Sequence, residues 1–470
     1  MKLLKSTTSR CPDCLASVPA EVVQTSNGRD RVFLHKTCPE HGQFETLLSS
    51  DARFYWLAKG SGKADASAGC CASGSCAQPA VGDQIGFLGR NAQIQLEPED
   101  PKPFNQLSTC LALIEIVDSC NLSCPTCFAD SPVGGAGDRI QAHPLEELKS
   151  RIDGVIQRKG NIEILQLSGG EPTLHPQFFE LLEWCHDHSG IDYVLVNTNG
   201  VRLAKDEAFA QQLGERMKYG HFQLYLQFDG VGEGGERELR GGDFRELKRR
   251  AVERTAELKI PITLAMTVIP ENLDQLWQTV QFGLAYDHIR GVSFQPMFGS
   301  GRADAPAQRN RLNTADIILG LVEQAEACSG KLAFEDFTPL PCGDPNCATI
   351  GYLLKTPLGT RSISEFVDFK TLQGFMADRV RYDLDDLEQC GCESEPLGAL
   401  LHDLELDEKS TFRLFIKPFM DAENWDQDRI DRCCTHVIRP DGVLDSFCRY
   451  YLHGGSALYP KASATADAHA

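Results

Sequence analysis

Between residues 111 and 330, short apolar runs alternate with longer stretches whose apolar positions recur at helical spacing, the pattern of strand–helix units around a parallel sheet. Strands are predicted near 111–117, 163–167, 192–197, 222–228, 262–268 and 291–296, and helices near 145–158, 176–188, 206–218, 243–258, 272–287 and 313–328. Six such units make an α/β partial barrel of the (βα)6 type, with function expected at the C-terminal ends of the strands.

The flanks follow other patterns. Residues 1–57 place Cys11-Pro12-Asp13-Cys14 and Cys38-Pro39-Glu40-His41-Gly42 on either side of strand-like residues around Val32-Phe33-Leu34, and are expected to form a small ribbon-like unit. Residues 58–106 read as a linker, rich first in Gly, Ala and Ser and then in polar residues and Pro. The βα rhythm of the core, 107–330, stops after residue 330; cysteines return through 331–458, and an Ala-rich tail over 459–470 is expected to be disordered.

A chain of 470 residues has room for one large core and one or two smaller units. Its formal charge of −20 argues against a nucleic-acid surface and against electrostatic docking on anionic lipid. The start, Met1-Lys2-Leu3-Leu4-Lys5-Ser6, has no apolar signal region, and no run approaches the length of a spanning helix. The expected location is the cytoplasm, peripheral to a membrane if the substrate is a lipid. Nineteen cysteines in such a chain point to metals and clusters, because cytosolic thiols are kept reduced.

Directly after the first barrel strand comes Cys120-Asn121-Leu122-Ser123-Cys124-Pro125-Thr126-Cys127. A CxxxCxxC loop can wrap three irons of a [4Fe–4S] cubane with soft thiolates and leave the fourth iron open. A zinc knuckle would satisfy the cysteines alone, but not the Ser168-Gly169-Gly170-Glu171-Pro172 turn one strand later. Cys11, Cys14, Cys38 and His41 have the ligand types and spacing of a mononuclear site for zinc or iron, structural or electron-transferring. Four thiolates drawn from Cys342, Cys347, Cys433, Cys434 and Cys448 can hold an auxiliary [4Fe–4S] cluster, and spacing does not choose which four. Cys390 and Cys392 lie in the same extension, and Cys110 is a further candidate ligand. Cys70, Cys71 and Cys76 lie in a Gly/Ser tract that preorganises ligands poorly, while Cys185 and Cys328 read as buried apolar thiols. Gly230-Val231-Gly232-Glu233-Gly234-Gly235 has the form of a dinucleotide fingerprint, but Glu233 and Glu236 would face a pyrophosphate and the strand is fourth, not first, so it reads as a plain βα turn.

These motifs, with Val196-Asn197-Thr198-Asn199-Gly200 and Gln227-Phe228-Asp229-Gly230, resemble the radical SAM superfamily. Over nearly its whole length the chain is similar to the subfamily of class D radical SAM methylases and tetraether lipid synthases. The shared pieces include the CPxC and CPEHG knuckles, Thr109-Cys110-Leu111, Gly291-Val292-Ser293-Phe294-Gln295-Pro296, Arg432-Cys433-Cys434-Thr435-His436 and Pro440-Asp441-Gly442. Where relatives carry a dense Cys/His segment before residue 109, this chain has Asn105-Gln106-Leu107-Ser108.

The resemblance implies that Cys120, Cys124 and Cys127 hold the cluster at which S-adenosylmethionine is reductively cleaved to a 5′-deoxyadenosyl radical. It implies that the backbone of Ser168, Gly169, Gly170 and Glu171 holds the methionyl group, with Asn197, Asn199 and Gln227 facing the same cavity. An electron donor such as a ferredoxin or flavodoxin follows, as does sensitivity to oxygen. The reactions in view are C–C coupling of lipid chains at unactivated carbons, and one-carbon transfer to a small or pterin-like substrate from a methylene-folate-type donor. Peptide maturation is less well matched, because the tight C-terminal cysteine run of peptide-modifying enzymes is absent. A non-catalytic iron–sulfur carrier would leave the glycine turn and the open iron without purpose.

Overall fold

The computed structural model describes residues 1–26, 28–57, 109–134, 140–216, 220–305, 310–328, 330–340, 343–356, 359–362, 365 and 410–455. The expected linker with Cys70, Cys71 and Cys76, the thiols Cys342, Cys390 and Cys392, the segment 105–108 and the expected tail lie outside these residues.

The N-terminal unit is an antiparallel sheet in the order β1 (Lys2–Arg10), β2 (Ser17–Thr25), β3 (Arg31–Cys38), β4 (Gly42–Ser49). Alternation along β2 and β3 turns Ala20, Val22, Val32 and Leu34 into one small apolar cluster. A core of four such residues is too small to hold the unit by itself, and the sheet is fastened elsewhere. The buried Lys36 ammonium donates to Arg10 O (2.8 Å), Ala422 O (2.5 Å) and Glu423 O (2.9 Å), bridging the ribbon to the C-terminal extension. Burial pushes its pKa down to about 8.

The core begins with six parallel strands: β5 (Leu111–Val117), β6 (Leu165–Gly169), β7 (Val194–Thr198), β8 (Phe222–Gln227), β9 (Ile262–Val268) and β10 (Ile289–Pro296). The helices are α1 (Leu145–Lys159), α2 (Phe178–Asp187), α3 (Val201–Lys205), α4 (Glu207–Glu215), α5 (Glu236–Arg240), α6 (Arg245–Glu257), α7 (Leu276–Leu284) and α8 (Thr314–Ala327). The helix expected over 206–218 is α4, which Asp206 caps by accepting from Phe209 N (3.0 Å), and an additional short helix, α3, precedes it. The short α5 arises in the Gly-rich turn after β8, where periodicity gives no signal. Cys185 is fully buried as expected; Cys328 is exposed at the end of α8, which corrects its reading as a buried thiol.

The sheet does not stop where the βα rhythm stops. The extension contributes β11 (Thr338–Pro339), β12 (Thr349–Thr356), β13 (Gly359–Ser362), β14 (Thr411–Ile416), α9 (Gln427–Asp431), β15 (Thr435–Ile438), β16 (Leu444–Ser446) and α10 (Phe447–Leu452). Of these, β14 pairs parallel with β10 and β15 pairs parallel with β5, so the parallel array runs β15-β5-β6-β7-β8-β9-β10-β14. At its two edges Lys417 Nζ, just past β14, donates to Thr435 Oγ1 at the start of β15 (2.8 Å).

Period-two alternation sorts the strand residues. Ala112, Ile114, Leu165, Leu167, Val194, Val196, Leu224, Leu226, Ile262, Leu264, Val292, Phe294, Leu414 and Ile416 are buried in the apolar core shared with the helices. Their alternates face the lumen, and β14 lies close enough to β10 that a Cβ on Gly291 would sit 2.2 Å from Arg413 O.

Replacing Lys36 with Met should leave the Ala422 and Glu423 carbonyls without their donor and lower stability by about 1–3 kcal/mol. Urea unfolding followed by ribbon-specific proteolysis reads this; an unchanged midpoint and cleavage pattern would mean that the contact does not hold the ribbon.

Candidate functional site

The triad loop leaves β5 at its C-terminal end and is held from three sides. Arg302 donates from its backbone N to Cys127 O (2.9 Å) and from Nε to Cys124 O (3.2 Å), and Cys120 N donates to Pro132 O (2.9 Å). Thr126 Oγ1 donates to Leu239 O of α5 (3.0 Å), which presses that helix onto the loop. Burial, with Glu171 nearby, pushes Cys120 up to about 12; burial also raises Cys124, with Arg240 pulling the other way. Bound iron would override both shifts, since a coordinating thiol is deprotonated outright.

The glycine turn after β6 is built by close approach. Gly169 has φ +121, and a Cβ there would lie 2.1 Å from Val117 O; one on Gly170 would lie 2.1 Å from Ser119 O. Only glycine fits either position, and the turn is pinned by Gly170 N donating to Val117 O (2.7 Å) and Glu171 N to Ser119 O (3.0 Å). The buried Glu171 carboxylate accepts from Thr173 Oγ1 (2.6 Å), Thr198 Oγ1 (2.7 Å) and Asn199 N (2.8 Å). Its role is therefore to lock the end of β7 against the end of β6. Ser168 is buried below the turn and accepts from Asn197 Nδ2 (3.3 Å).

Asn199 Nδ2 in turn donates to Asn121 Oδ1 (2.7 Å) and faces Cys120 Sγ at 3.8 Å. Gly169, Gly170, Glu171, Asn197, Asn199 and Gln227 all line one cavity of about 300 Å³ that also reaches Cys120, Cys124 and Cys127. The structure thus brings the predicted SAM-pocket residues to the triad, with Ser168 as a support.

Sequence reasoning missed the layer beneath. Buried Asp229 takes a bidentate pair from Arg240 (2.6 and 2.8 Å) and accepts from Thr267 N (3.0 Å). Buried Lys248 donates to Asn199 O (2.6 Å) and Gln227 Oε1 (3.2 Å), and burial pulls its pKa down to about 8. Glu236, 1% exposed, has no hydrogen-bond partner on either oxygen, and burial beside Asp229 pushes it up to about 7. The Asp229-to-Arg240 spacing crosses a turn and a helix, so no local pattern announces it.

The mononuclear ligand set is assembled. One ligand atom from each of Cys11, Cys14, Cys38 and His41 lies within 4.8 Å of the others, a span suited to a single ion. A hydrogen bond from His41 Nδ1 (3.4 Å) pulls Cys38 down to about 6. The triad is not drawn into such a tight group, as suits a loop that reaches three separate irons.

Cys347, Cys433, Cys434 and Cys448 share a second neighbourhood, with Cys434 and Cys448 buried and Cys347 and Cys433 partly so. Burial raises Cys433, with Cys434, Cys347 and Cys448 adding to the shift, and raises Cys448 to about 11. Met420 N donates to Cys448 Sγ (3.3 Å), Cys433 Sγ donates to Thr435 O (3.0 Å), and a Cβ on Gly343 would sit 3.3 Å from Cys434 Sγ. Cys434 also lines the main cavity, and Cys110, fully buried beside it, donates its backbone N to Cys434 O (3.0 Å). The GxGxxG turn folds onto Gln275, which accepts from Gly232 N (2.8 Å) and donates to Gly234 O (3.1 Å), consistent with a plain βα turn.

Residues 3–50 match the HMPTM N-terminal zinc ribbon domain. Over 95% of its length and 93% of the relative's, the chain is 24% identical to 7,8-dihydro-6-hydroxymethylpterin dimethyltransferase of Methanocaldococcus jannaschii. It is 27% identical to the PqqA peptide cyclase of Bradyrhizobium diazoefficiens over 48% of this chain and 57% of that protein. Among solved structures, Streptococcus suis SuiB bound to precursor peptide SuiA aligns with a TM-score of 0.38 and 16% identity over 48% of each chain. Residues 114–283 match the Radical SAM superfamily model, an interval that starts within β5 and runs through the strand ends carrying the triad, the glycine turn and Gln227, so this stretch of the chain is similar to the radical SAM domain.

Proposed function

We propose that this radical SAM enzyme is a methylase of a planar, hydrogen-bonding heterocycle of the pterin class. The observation that carries the reading is the polar girdle in the lumen. Tyr193 OH donates to Gln223 Oε1 (3.3 Å) and Gln223 Nε2 donates to Thr263 Oγ1. One layer on, Tyr225 OH donates to Ser293 Oγ (2.6 Å) and Gln295 Nε2 donates to Tyr225 OH (2.6 Å).

Beyond the bonds they make with one another, these amides and hydroxyls keep further donors and acceptors, which a hydrocarbon chain would cover without return and the edge of a pterin can match. The girdle therefore favours the methylase over lipid-chain coupling. The full-length similarity to a pterin dimethyltransferase supports the same choice.

Cys120, Cys124 and Cys127 would hold the [4Fe–4S] cluster, which when bound with SAM supplies the radical. The chain's own residues set the stage. Glu171 fixes Asn199 against the triad, Lys248 holds the Gln227 carboxamide, and the apolar Leu122, Phe298 and Phe447 shield the chamber from water. Cys347, Cys433, Cys434 and Cys448 would hold an auxiliary cluster at the chamber's wall.

Reconstituted anaerobically with SAM, a reductant, carbon-13-labelled methylenetetrahydrofolate and 6-hydroxymethylpterin, the enzyme should give a pterin heavier by one or two labelled methyl groups on mass spectrometry. SAM cleavage with an unaltered pterin would defeat the reading. Gln223→Leu should raise the KM for the pterin about tenfold and spare SAM binding, since it strands its polar neighbours. Cys124→Ala should remove the cubane's EPR signal while leaving the ribbon metal in place; a full signal in that variant would reassign the triad.

A further inference from the structure

The charged groups around the chamber are unevenly distributed. Among the described residues lining it, the only carboxylate is Glu171, and its oxygens are occupied by Thr173, Thr198 and Asn199. Arg240, one of the lining cations, is paired with Asp229. Two more cations, Arg413 and Lys417, come from β14 and its end, each also held by contacts within the protein.

On a strand, residues 413, 415 and 417 share one face, so Arg413, Phe415 and Lys417 present a cation, an aromatic ring and a second cation to the lumen. Barrel lumens of this kind are ordinarily filled by branched aliphatic side chains. Here the register partner of Arg413 on β10 is Gly291, which adds no side chain to the layer and leaves that space to the guanidinium. This stripe belongs to a chain of formal charge −20, so general surface basicity does not account for it.

We propose that the lumen face of β14 is a subsite for an anionic substituent of the methyl-accepting substrate, a carboxylate or phosphate, gripped by Arg413 and Lys417 with Phe415 against the adjoining ring. The fork of Arg413 matches either oxyanion in bidentate geometry, and Lys417, fixed by Thr435, adds a point charge. The C-terminal extension thereby selects the substrate, while the strand ends of β5 to β8 serve the cofactor. The subsite rests on the reading of this cavity as the substrate chamber.

Calorimetry on the anaerobically reconstituted enzyme saturated with SAM tests it, with three probes: neutral 6-hydroxymethylpterin, its phosphate ester and phenyl phosphate. Saturating SAM removes SAM's own carboxylate as a competitor. The phosphate ester should bind at least about tenfold tighter than the neutral pterin. Arg413→Gln should erase most of that preference while leaving the neutral pterin's affinity in place, which also shows that the variant folds. Arg413→Lys should keep part of the preference, and the double variant Arg413→Gln with Lys417→Met should abolish it.

Equal affinities for the two pterins in the native enzyme would overturn the subsite, as would a preference that survives the double variant. Phenyl phosphate separates this failure from that of the heterocycle reading. Binding of phenyl phosphate that Arg413→Gln removes, with neither pterin bound, upholds the anion subsite and ends the pterin assignment. Both pterins bound alike, with no phenyl phosphate bound, does the reverse.

Discussion

The Glu171 carboxylate is the interaction on which the rest of the site depends. It is buried, and it survives there because it accepts from the hydroxyls of Thr173 and Thr198 and the backbone of Asn199. That clamp makes the ends of β6 and β7 one unit. Asn199 then reaches the triad loop through Asn121, Lys248 ties Asn199 to Gln227 at the end of β8, and Asp229 with Arg240 carries the belt to Thr267 on β9. A continuous rim of hydrogen bonds thus runs across four strand ends, and the cysteine loop rests on it. Loss of any one member would leave buried charge or unsatisfied backbone, so the rim holds as a network more firmly than its separate bonds suggest.

Below the rim, one physical rule organises the molecule: alternation along each strand. The outward alternates bury against helices and supply stability, while the inward alternates mix apolar residues such as Leu113, Leu195 and Ala265 with amides, hydroxyls and, on β14, cations. The extension takes part in this rule. Its strands β14 and β15 continue the parallel array at both edges, and its described thiols, Cys347, Cys433, Cys434 and Cys448, gather near where those edges meet. Chamber wall, sheet edges and the candidate auxiliary site are consequently one piece of architecture, to which Lys36 fastens the ribbon.

What the sequence made legible was whatever local chemistry forces. The six core strands fall within a few residues of their expected places, because a strand buried by helices must be apolar at alternate positions or throughout. Cys11, Cys14, Cys38 and His41 were readable because metal ligands come in short spacings, and Gly169 and Gly170 because only glycine tolerates the approach of Val117 and Ser119. Long-range pairs were not legible. Arg240 reaches Asp229 across the α5 turn, and Lys248 reaches Asn199 from another unit altogether. The strand Thr411-Phe412-Arg413-Leu414-Phe415-Ile416 has a period-two signal, but it stands alone in a cysteine-bearing extension with no strand–helix rhythm to place it in the sheet. Asp206 caps α4 where apolar spacing places its start, whereas the short α3 just before it, only five residues long, gives no such signal.

The most direct test of the account is the release of 5′-deoxyadenosine from SAM by the anaerobically reconstituted protein, timed with and without a pterin in the chamber. The account predicts release that depends on a reduced cluster and accelerates when 6-hydroxymethylpterin and the one-carbon donor are both present. A protein with a full, reducible cluster that releases no 5′-deoxyadenosine, or one whose release ignores the pterin and responds to an alkyl lipid, would contradict it.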